Sequence, residues 1–315
     1  MAIRVGTASW TDKTLIDCKK FYPSLCRTPE QRLRYYASRF PLVEVDSSYY
    51  AMPKASNADL WAQRTPKDFK MNVKAFRLMT GHQTSPTVMP ADLLTELPEK
   101  LKGKPMLYAR ELPPPILDAV FERFLLSLRP LRDAGKLGMV HFQFAPWLSR
   151  SRRDKDYIAY CVEKVVGCQI SVEFRNNTWF AADHAEETLA MLRDLDVAHT
   201  VVDEPQGFDN SVPAVWEATN PRKALVRMHG RNYDTWDIKG ASAASDRFNY
   251  DYSQLELEGL AVDILRLSGR VADLDVIFNN NNEDQGQRNA QTLMDILGAM
   301  AVQPSLDFTG DELPF

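Results

Sequence analysis

Four short runs alternate charged or polar residues with apolar ones: Leu42-Val43-Glu44-Val45-Asp46, Phe69-Lys70-Met71-Asn72-Val73-Lys74, Ile170-Ser171-Val172-Glu173-Phe174-Arg175 and Val226-Arg227-Met228-His229. Successive side chains of a β-strand point to opposite faces, so each run carries one apolar and one polar face. With the apolar faces against a layer of helices, Glu44, Asp46, Lys74, Glu173, Arg175, Arg227 and His229 turn into a common interior, joined by Asp203, Gln143 and Asn279 from other strand-like runs. Buried charges are tolerated when opposite charges and hydrogen bonds satisfy them. The chemistry this set would support is capture of an anion by Lys74, Arg175 and Arg227, with Glu173 or Asp203 as base on water and His229 as acid. A closed salt-bridge network that only braces the interior is the competing reading.

Aromatic residues stand beside this set. Trp10, Tyr49, Tyr50, Trp147, Trp179 and Trp236 follow strand ends in five different connections, where their faces would stack on a base or sugar ring. Asn176 and Asn280, each just past a strand, extend the polar lining. Loop packing is the alternative for any one tryptophan.

The elements that must position these residues follow a regular rhythm. Strand-like runs lie at Ile3–Ala8, Leu42–Ser47, Phe69–Lys74, Leu137–Phe144, Gln169–Arg175, Ala198–Asp203, Ala224–His229 and Leu274–Asn279. Helical patterns lie at Pro29–Phe40, Ser56–Arg64, Pro115–Ala134, Asp154–Val166, His184–Leu195, Tyr252–Leu267 and Asp284–Met300, with a weak one at Val212–Ala218. Alternation of β and α implies parallel strands with crossovers, and eight repeats imply closure into a (β/α)8 TIM-like barrel. An open doubly wound sheet is the alternative, but no Gly-rich phosphate loop follows the first strand. The polar residues fall towards the C-terminal strand ends, where barrel enzymes place their chemistry. Thr28-Pro29 and Ser253 with Glu256 read as helix starts. The long Pro-containing connection Phe76–Pro114 reads as a functional insertion. The expected layout is one barrel over residues 1–303, with that insertion near 76–114, and a flexible acidic tail over 304–315.

Bulk properties narrow the function. The 315 residues carry a formal net charge of −4, 44% hydrophobic and 25% charged residues, so nucleic acid would have to be held by a local patch rather than a global field. A flipped or single-stranded nucleotide suits that charge better than a duplex footprint. No run approaches the roughly 20 apolar residues of a membrane span, and the start Met1-Ala2-Ile3-Arg4 has no apolar leader, which sets the expectation of a cytoplasmic protein. Cys18, Cys26, Cys161 and Cys168 lack metal or redox spacing and are expected to be reduced thiols.

Several motifs together resemble the YecE-like family, domain of unknown function 72: Gly6-Thr7-Ala8-Ser9-Trp10, Val43-Glu44-Val45-Asp46-Ser47-Ser48-Tyr49-Tyr50, Val73-Lys74-Ala75, Gln143-Phe144-Ala145-Pro146, Val172-Glu173-Phe174-Arg175-Asn176, Val226-Arg227-Met228-His229-Gly230-Arg231 and Phe278-Asn279-Asn280 with Asn289-Ala290. The resemblance implies a TIM-like barrel distantly similar to endonuclease IV and xylose isomerase, and no settled activity. Ala8-Ser9 stands where that family usually shows Ser-Gly, and Tyr250-Asp251-Tyr252 lacks the usual following leucine. A trinuclear zinc cluster of the endonuclease IV kind needs more histidines than the five present; a single Mg or Mn ion held by carboxylates is compatible with the residues, though three nearby cations would compete with it.

The final residues Asp311-Glu312-Leu313-Pro314-Phe315 resemble the acidic tip of bacterial single-stranded-DNA-binding proteins, which implies docking to a DNA-maintenance partner. Three functions follow: a hydrolase, of phosphodiester or related type, acting on a phosphate-bearing substrate; a carbohydrate or sugar-phosphate isomerase or hydrolase using the carboxylates; and a non-catalytic nucleotide or nucleic-acid binding module.

Overall fold

A computed structural model describes residues 1–181, 183–236 and 247–308. Its strands are β1 (Ala2–Ala8), β2 (Leu42–Val45), β3 (Lys70–Lys74), β4 (Leu137–Gln143), β5 (Gln169–Glu173), β6 (Ala198–Asp203), β7 (Lys223–Met228) and β8 (Asp273–Phe278). They pair in sequence order, all in parallel, and β8 closes on β1. The helices are α1 (Lys13–Cys18), α2 (Pro29–Arg39), α3 (Ser47–Tyr50), α4 (Ala55–Gln63), α5 (Ala91–Thr95), α6 (Pro114–Asp133), α7 (Arg152–Lys164), α8 (Ala185–Asp194), α9 (Gln254–Ser268) and α10 (Gln285–Leu297). The chain is a (β/α)8 barrel.

Helix starts follow the capping chemistry legible in the sequence. Thr28 and Gln31 form a reciprocal capping box with Pro29 at the first helical position, and Ser253 with Glu256 forms another. The weak pattern at Val212–Ala218 is not a helix. Pro213 lacks an amide hydrogen, and the carbonyls of Val212 and Val215 accept from the Gln206 amide and pair with His199 Nε2 instead.

Strand parity divides two cores. Val43, Val45, Val73, Val172, Phe174, Val226 and Met228 pack outward against the helices. Inside the barrel a second apolar layer of Ala8, Leu42, Met139, Ala198, Leu225 and Ile277 forms a waist. Beneath it Asn72 donates to the fully buried Asp275, with Arg4 close by. Above the waist the inward positions are charged.

Strand β1 ends on a strained residue. Ser9 has φ 101, in the region that favours glycine, while its amide donates to the Glu44 carbonyl and its hydroxyl accepts from the Thr11 amide. Ser9→Gly is expected to raise unfolding stability by about 1 kcal/mol, since relief of strain outweighs the lost hydroxyl contact and the extra freedom of an unfolded glycine. Urea denaturation of the two proteins reads this directly.

All four cysteines are unpaired thiols. No helix among the described residues is long and apolar enough to cross a membrane. The acidic tip 311–315 lies outside the described residues. Phe308 packs on the core, with the Arg34 guanidinium of α2 5.9 Å from its ring, so residues 304–308 lie along the barrel.

Candidate ligand site at the barrel mouth

Arg227 stands at the centre of the lumen above the apolar waist, fully buried. Its Nη2 donates to Glu44 Oε1 at 2.6 Å, and its Nη1 donates to Glu173 Oε2 at 2.7 Å and to Gln143 Oε1 at 3.2 Å. Strands β2, β4, β5 and β7 are thereby tied across the barrel by one guanidinium. Two histidines close on the same carboxylate, with His141 Nε2 3.3 Å from Glu173 Oε2 and His229 Nε2 3.3 Å from Glu173 Oε1. Burial alone would push the Glu173 carboxyl up, but the Arg227 charge and the surrounding donors outweigh it and hold it well below the usual range. The same burial, only partly opposed by Glu173, brings His229 down to about 3. His229 is therefore neutral near pH 7. Asn279 Nδ2 lies 2.9 Å from His229 Nδ1, so the ring keeps its proton on Nε2, facing Glu173.

Glu173 has no exposed surface and stands between Arg227, Arg175 and the two imidazoles, which keep it ionised. His229 is a neutral ring whose Nε2 lies 3.3 Å from that carboxylate without a hydrogen-bond partner among the described residues.

A more open layer lies above. Lys74 Nζ donates to Asp46 Oδ1 at 2.9 Å and sits 4.8 Å from the Tyr49 ring centre. Burial would raise the Asp46 carboxyl, and Lys74 more than offsets it, leaving the group below its ordinary value. Arg175 donates through Nη1 to Glu204 Oε2 at 2.6 Å, approaches Glu173 Oε1 at 3.4 Å, and lies over the Trp236 ring at 4.8 Å. Glu204 also accepts from the Val212 amide at 2.8 Å; burial nevertheless pushes its carboxyl up to about 8 against the pull of Arg175. That places one carboxyl which titrates near neutrality 3.4 Å or less from a guanidinium shared with a carboxylate that stays ionised.

Three residues of this layer escaped the sequence reading. Glu204 lies one residue beyond β6, where parity continues inward although the strand has ended. Arg77 and His82 lie in the long connection after β3, whose course has no periodicity to read. Arg77 lies 5.3 Å from the Tyr49 ring centre, opposite no carboxylate, and its buried Nε has no hydrogen-bond partner among the described residues. His82 is held by Thr80 Oγ1 at 2.9 Å and meets the rings of Tyr49 and Trp147 at 5.2 and 5.5 Å. Burial, then the charges of Lys74, Arg77 and Arg175, bring it down to about 3. All three cations thus bear on the same small volume.

Other expected site residues stand elsewhere. Asp203 shares its face with Met228, outside the lumen, because β6 pairs Val202 with Arg227 and Asp203 with Met228. It is bound there by Arg231 at 2.8 Å and by the Tyr252 hydroxyl at 2.6 Å, and it does not join Glu173. Trp10 is buried edge-on against Trp61 at 5.7 Å. Trp179 is buried on Phe174 at 4.2 Å and donates to the Leu148 carbonyl. Both belong to the helical shell rather than the rim, since the surrounding apolar surface absorbs them. Asn280 is likewise structural, donating to the Tyr250 carbonyl and Asn289 Oδ1. Asn176 caps the short turn Asn177–Trp179 and donates to the Pro146 carbonyl. Tyr50, packed edge-on against Tyr49, and Trp147 remain exposed at the rim, each about half accessible at 48% and 50%.

Every mouth carboxylate already faces a cation: Glu44 and Glu173 face Arg227, Asp46 faces Lys74, and Glu204 faces Arg175. Among the described residues no three His, Cys, Asp or Glu side chains converge as a metal-binding set. This donor set does not fit a Mg or Mn ion.

A parallel eight-stranded barrel with its charged layer at the C-terminal strand ends defines a TIM-barrel protein with a polar mouth. The chain belongs to the DUF72 family, described as "Protein of unknown function DUF72", whose model matches residues 4–309. It is 33% identical over 297 residues to UPF0759 protein YunF of Bacillus subtilis (strain 168), covering 94% of each chain. A DUF72 family protein from Enterococcus faecalis V583 superposes with a TM-score of 0.74 at 26% identity, over 94% of this chain and 95% of that one. A DUF72 family protein from Thermotoga maritima MSB8 gives 0.73 at 28% identity, over 94% and 99%.

Proposed function

We propose that the barrel mouth binds a phosphate-bearing ligand and acts on it as a hydrolase. The observation that carries this reading is Arg77, a guanidinium without an acidic partner among the described residues, set beside Tyr49 with Lys74 and Arg175 bearing on the same volume. A partly buried cation without a counter-charge is a vacancy for an anion, and a phosphoryl group offers several oxygens to several donors at once. A neutral sugar would leave that charge unanswered, so a sugar is favoured only when it carries phosphate.

In this reading Lys74, Arg77 and Arg175 hold the anion and stabilise charge that develops on it. Glu204 moves the proton: it titrates at about 8, close to working pH, where a general acid or base is most effective. Gln143 and Asn279 line the floor, and the Glu44–Arg227–Glu173 unit fixes Arg175 from below. Water attacks phosphorus as the P–O bond to the ester oxygen breaks; protonated Glu204 gives its proton to the departing ester oxygen and the attacking water gives one up to the phosphate formed, which returns it to Glu204.

Turnover of 4-nitrophenyl phosphate and bis(4-nitrophenyl) phosphate tests the assignment. Glu204→Gln is expected to lower kcat by about 100-fold or more while phosphate affinity stays within about threefold. With Glu204 as acid, kcat falls as pH rises through about 8, and the fall disappears in the variant. Phosphate binding with no turnover of either ester would instead mark a binding module.

A further inference from the structure

A cavity of about 440 Å³ lies behind the mouth, between the long connection after β3 and the first turns of α7. Its lining includes Gln83, Tyr108, Arg110, Trp147, Arg153 and Tyr157. Trp147 is the wall shared with the anion site: its ring meets His82, and its Nε1 donates to the Gly81 carbonyl at 3.2 Å, which fixes the plane while half of the side chain stays accessible. Arg110 lies over the Tyr108 ring at 5.2 Å and is exposed. Arg153 is also exposed, contacting the one acid of the lining, Asp154, at 3.3 Å. Two cations against one acid leave the rim positive, around a largely apolar interior.

We propose that this cavity is a subsite for the planar ring of a nucleotide, whose phosphate lies at the mouth. The proposal rests on the phosphate reading above and adds the part of the ligand that reading leaves open. A fixed, half-exposed indole offers a stacking face at low entropic cost, and the Gln83 amide and Tyr108 hydroxyl offer donors and acceptors to the edge of a base. The volume is that of a small-molecule site. Arg110 and Arg153, exposed in the lining, would meet a second phosphate carried by the same nucleoside, so the ring is accommodated either free or within a single strand.

The test is a titration of the full chain with inorganic phosphate, AMP and the single strand pentadeoxyadenylate. AMP is expected to bind at least tenfold more tightly than phosphate. Trp147→Leu and, separately, Arg110→Ala are expected to reduce the ratio of AMP to phosphate affinity, Trp147→Leu by roughly tenfold, and Arg110→Ala, at a residue away from the mouth, with phosphate affinity unchanged. Both side chains are exposed, so folding is retained, and circular dichroism checks it. Equal affinity for AMP and the pentamer identifies a free nucleotide, and tighter binding of the pentamer identifies a strand; each supports the subsite. AMP binding no better than phosphate, or an AMP advantage untouched by both variants, overturns it. Loss of phosphate binding itself in the wild type would instead overturn the mouth reading.

Discussion

Arg227→Ala is expected to lower unfolding stability by about 3–5 kcal/mol, the range for stripping one partner from a buried ion pair. The substitution leaves Glu44 and Glu173, both fully buried, with no guanidinium between them. Burial would then push the Glu173 carboxyl up, because the charge that now holds it down would be gone. The deficit should accordingly shrink as pH falls and Glu173 takes up a proton. Arg227→Lys should recover only part of it, since one ammonium cannot reproduce the planar fork that reaches Glu44 through Nη2 and Glu173 with Gln143 through Nη1. Equilibrium urea denaturation of the three proteins at pH 7.5 and 6 measures both effects. A loss below 1 kcal/mol for Arg227→Ala would show that the network does not brace the barrel.

The second large effect is an acid limb in stability. Burial brings His82 and His229 down to about 3 and His199 down to about 4, so all three stay neutral in the folded chain at mild acidity. In the unfolded chain they protonate near 6.5. The unfolded state therefore binds more protons below pH 6.5, and stability falls as pH falls. Glu204 has the opposite sign: its folded carboxyl, up to about 8, keeps a proton that the unfolded carboxyl releases down to about 4.5, so it contributes stability as pH falls through that window. These three histidines against one glutamate leave about two protons net at pH 5.5, or about 3 kcal/mol lost per pH unit, and His141, which burial also holds below its ordinary value, adds to the loss in the same direction. Glu173 and Asp46, both held below their ordinary values, add to the loss at still lower pH. Unfolding curves at pH 7.5, 6.5 and 5.5 should be nearly level over the first unit, where Glu204 offsets the histidines, and fall over the second; no loss between pH 6.5 and 5.5 would contradict it.

Much of this architecture can be read without coordinates because strand parity is a local property. Alternation alone turns Glu44, Glu173 and Arg227 to one face, and closure of eight strands then brings them within 2.7 Å or less of each other's charges. Where alternation is weak the reading fails. In β6 two valines stand side by side, Val201 and Val202, so parity is undetermined, and Asp203 falls outward while Glu204 falls inward. Trp10 and Trp179 follow strand ends in sequence, but a loop a few residues long can turn a large ring back onto the helices, and pattern does not say which way it turns. Arg77 and His82 are hidden for a different reason. Their position depends on how an aperiodic, proline-containing connection folds over the mouth, and that is set by packing rather than by spacing.

An anion site at the mouth depends on an unanswered positive charge, and isothermal titration of inorganic phosphate into the wild type and Arg77→Gln tests it most directly. The wild type should bind one phosphate per chain, more weakly as salt rises, and Arg77→Gln should bind at least tenfold more weakly with unfolding stability unchanged. Absence of phosphate binding in the wild type, or equal affinity in both proteins, would contradict an anion site built on Arg77.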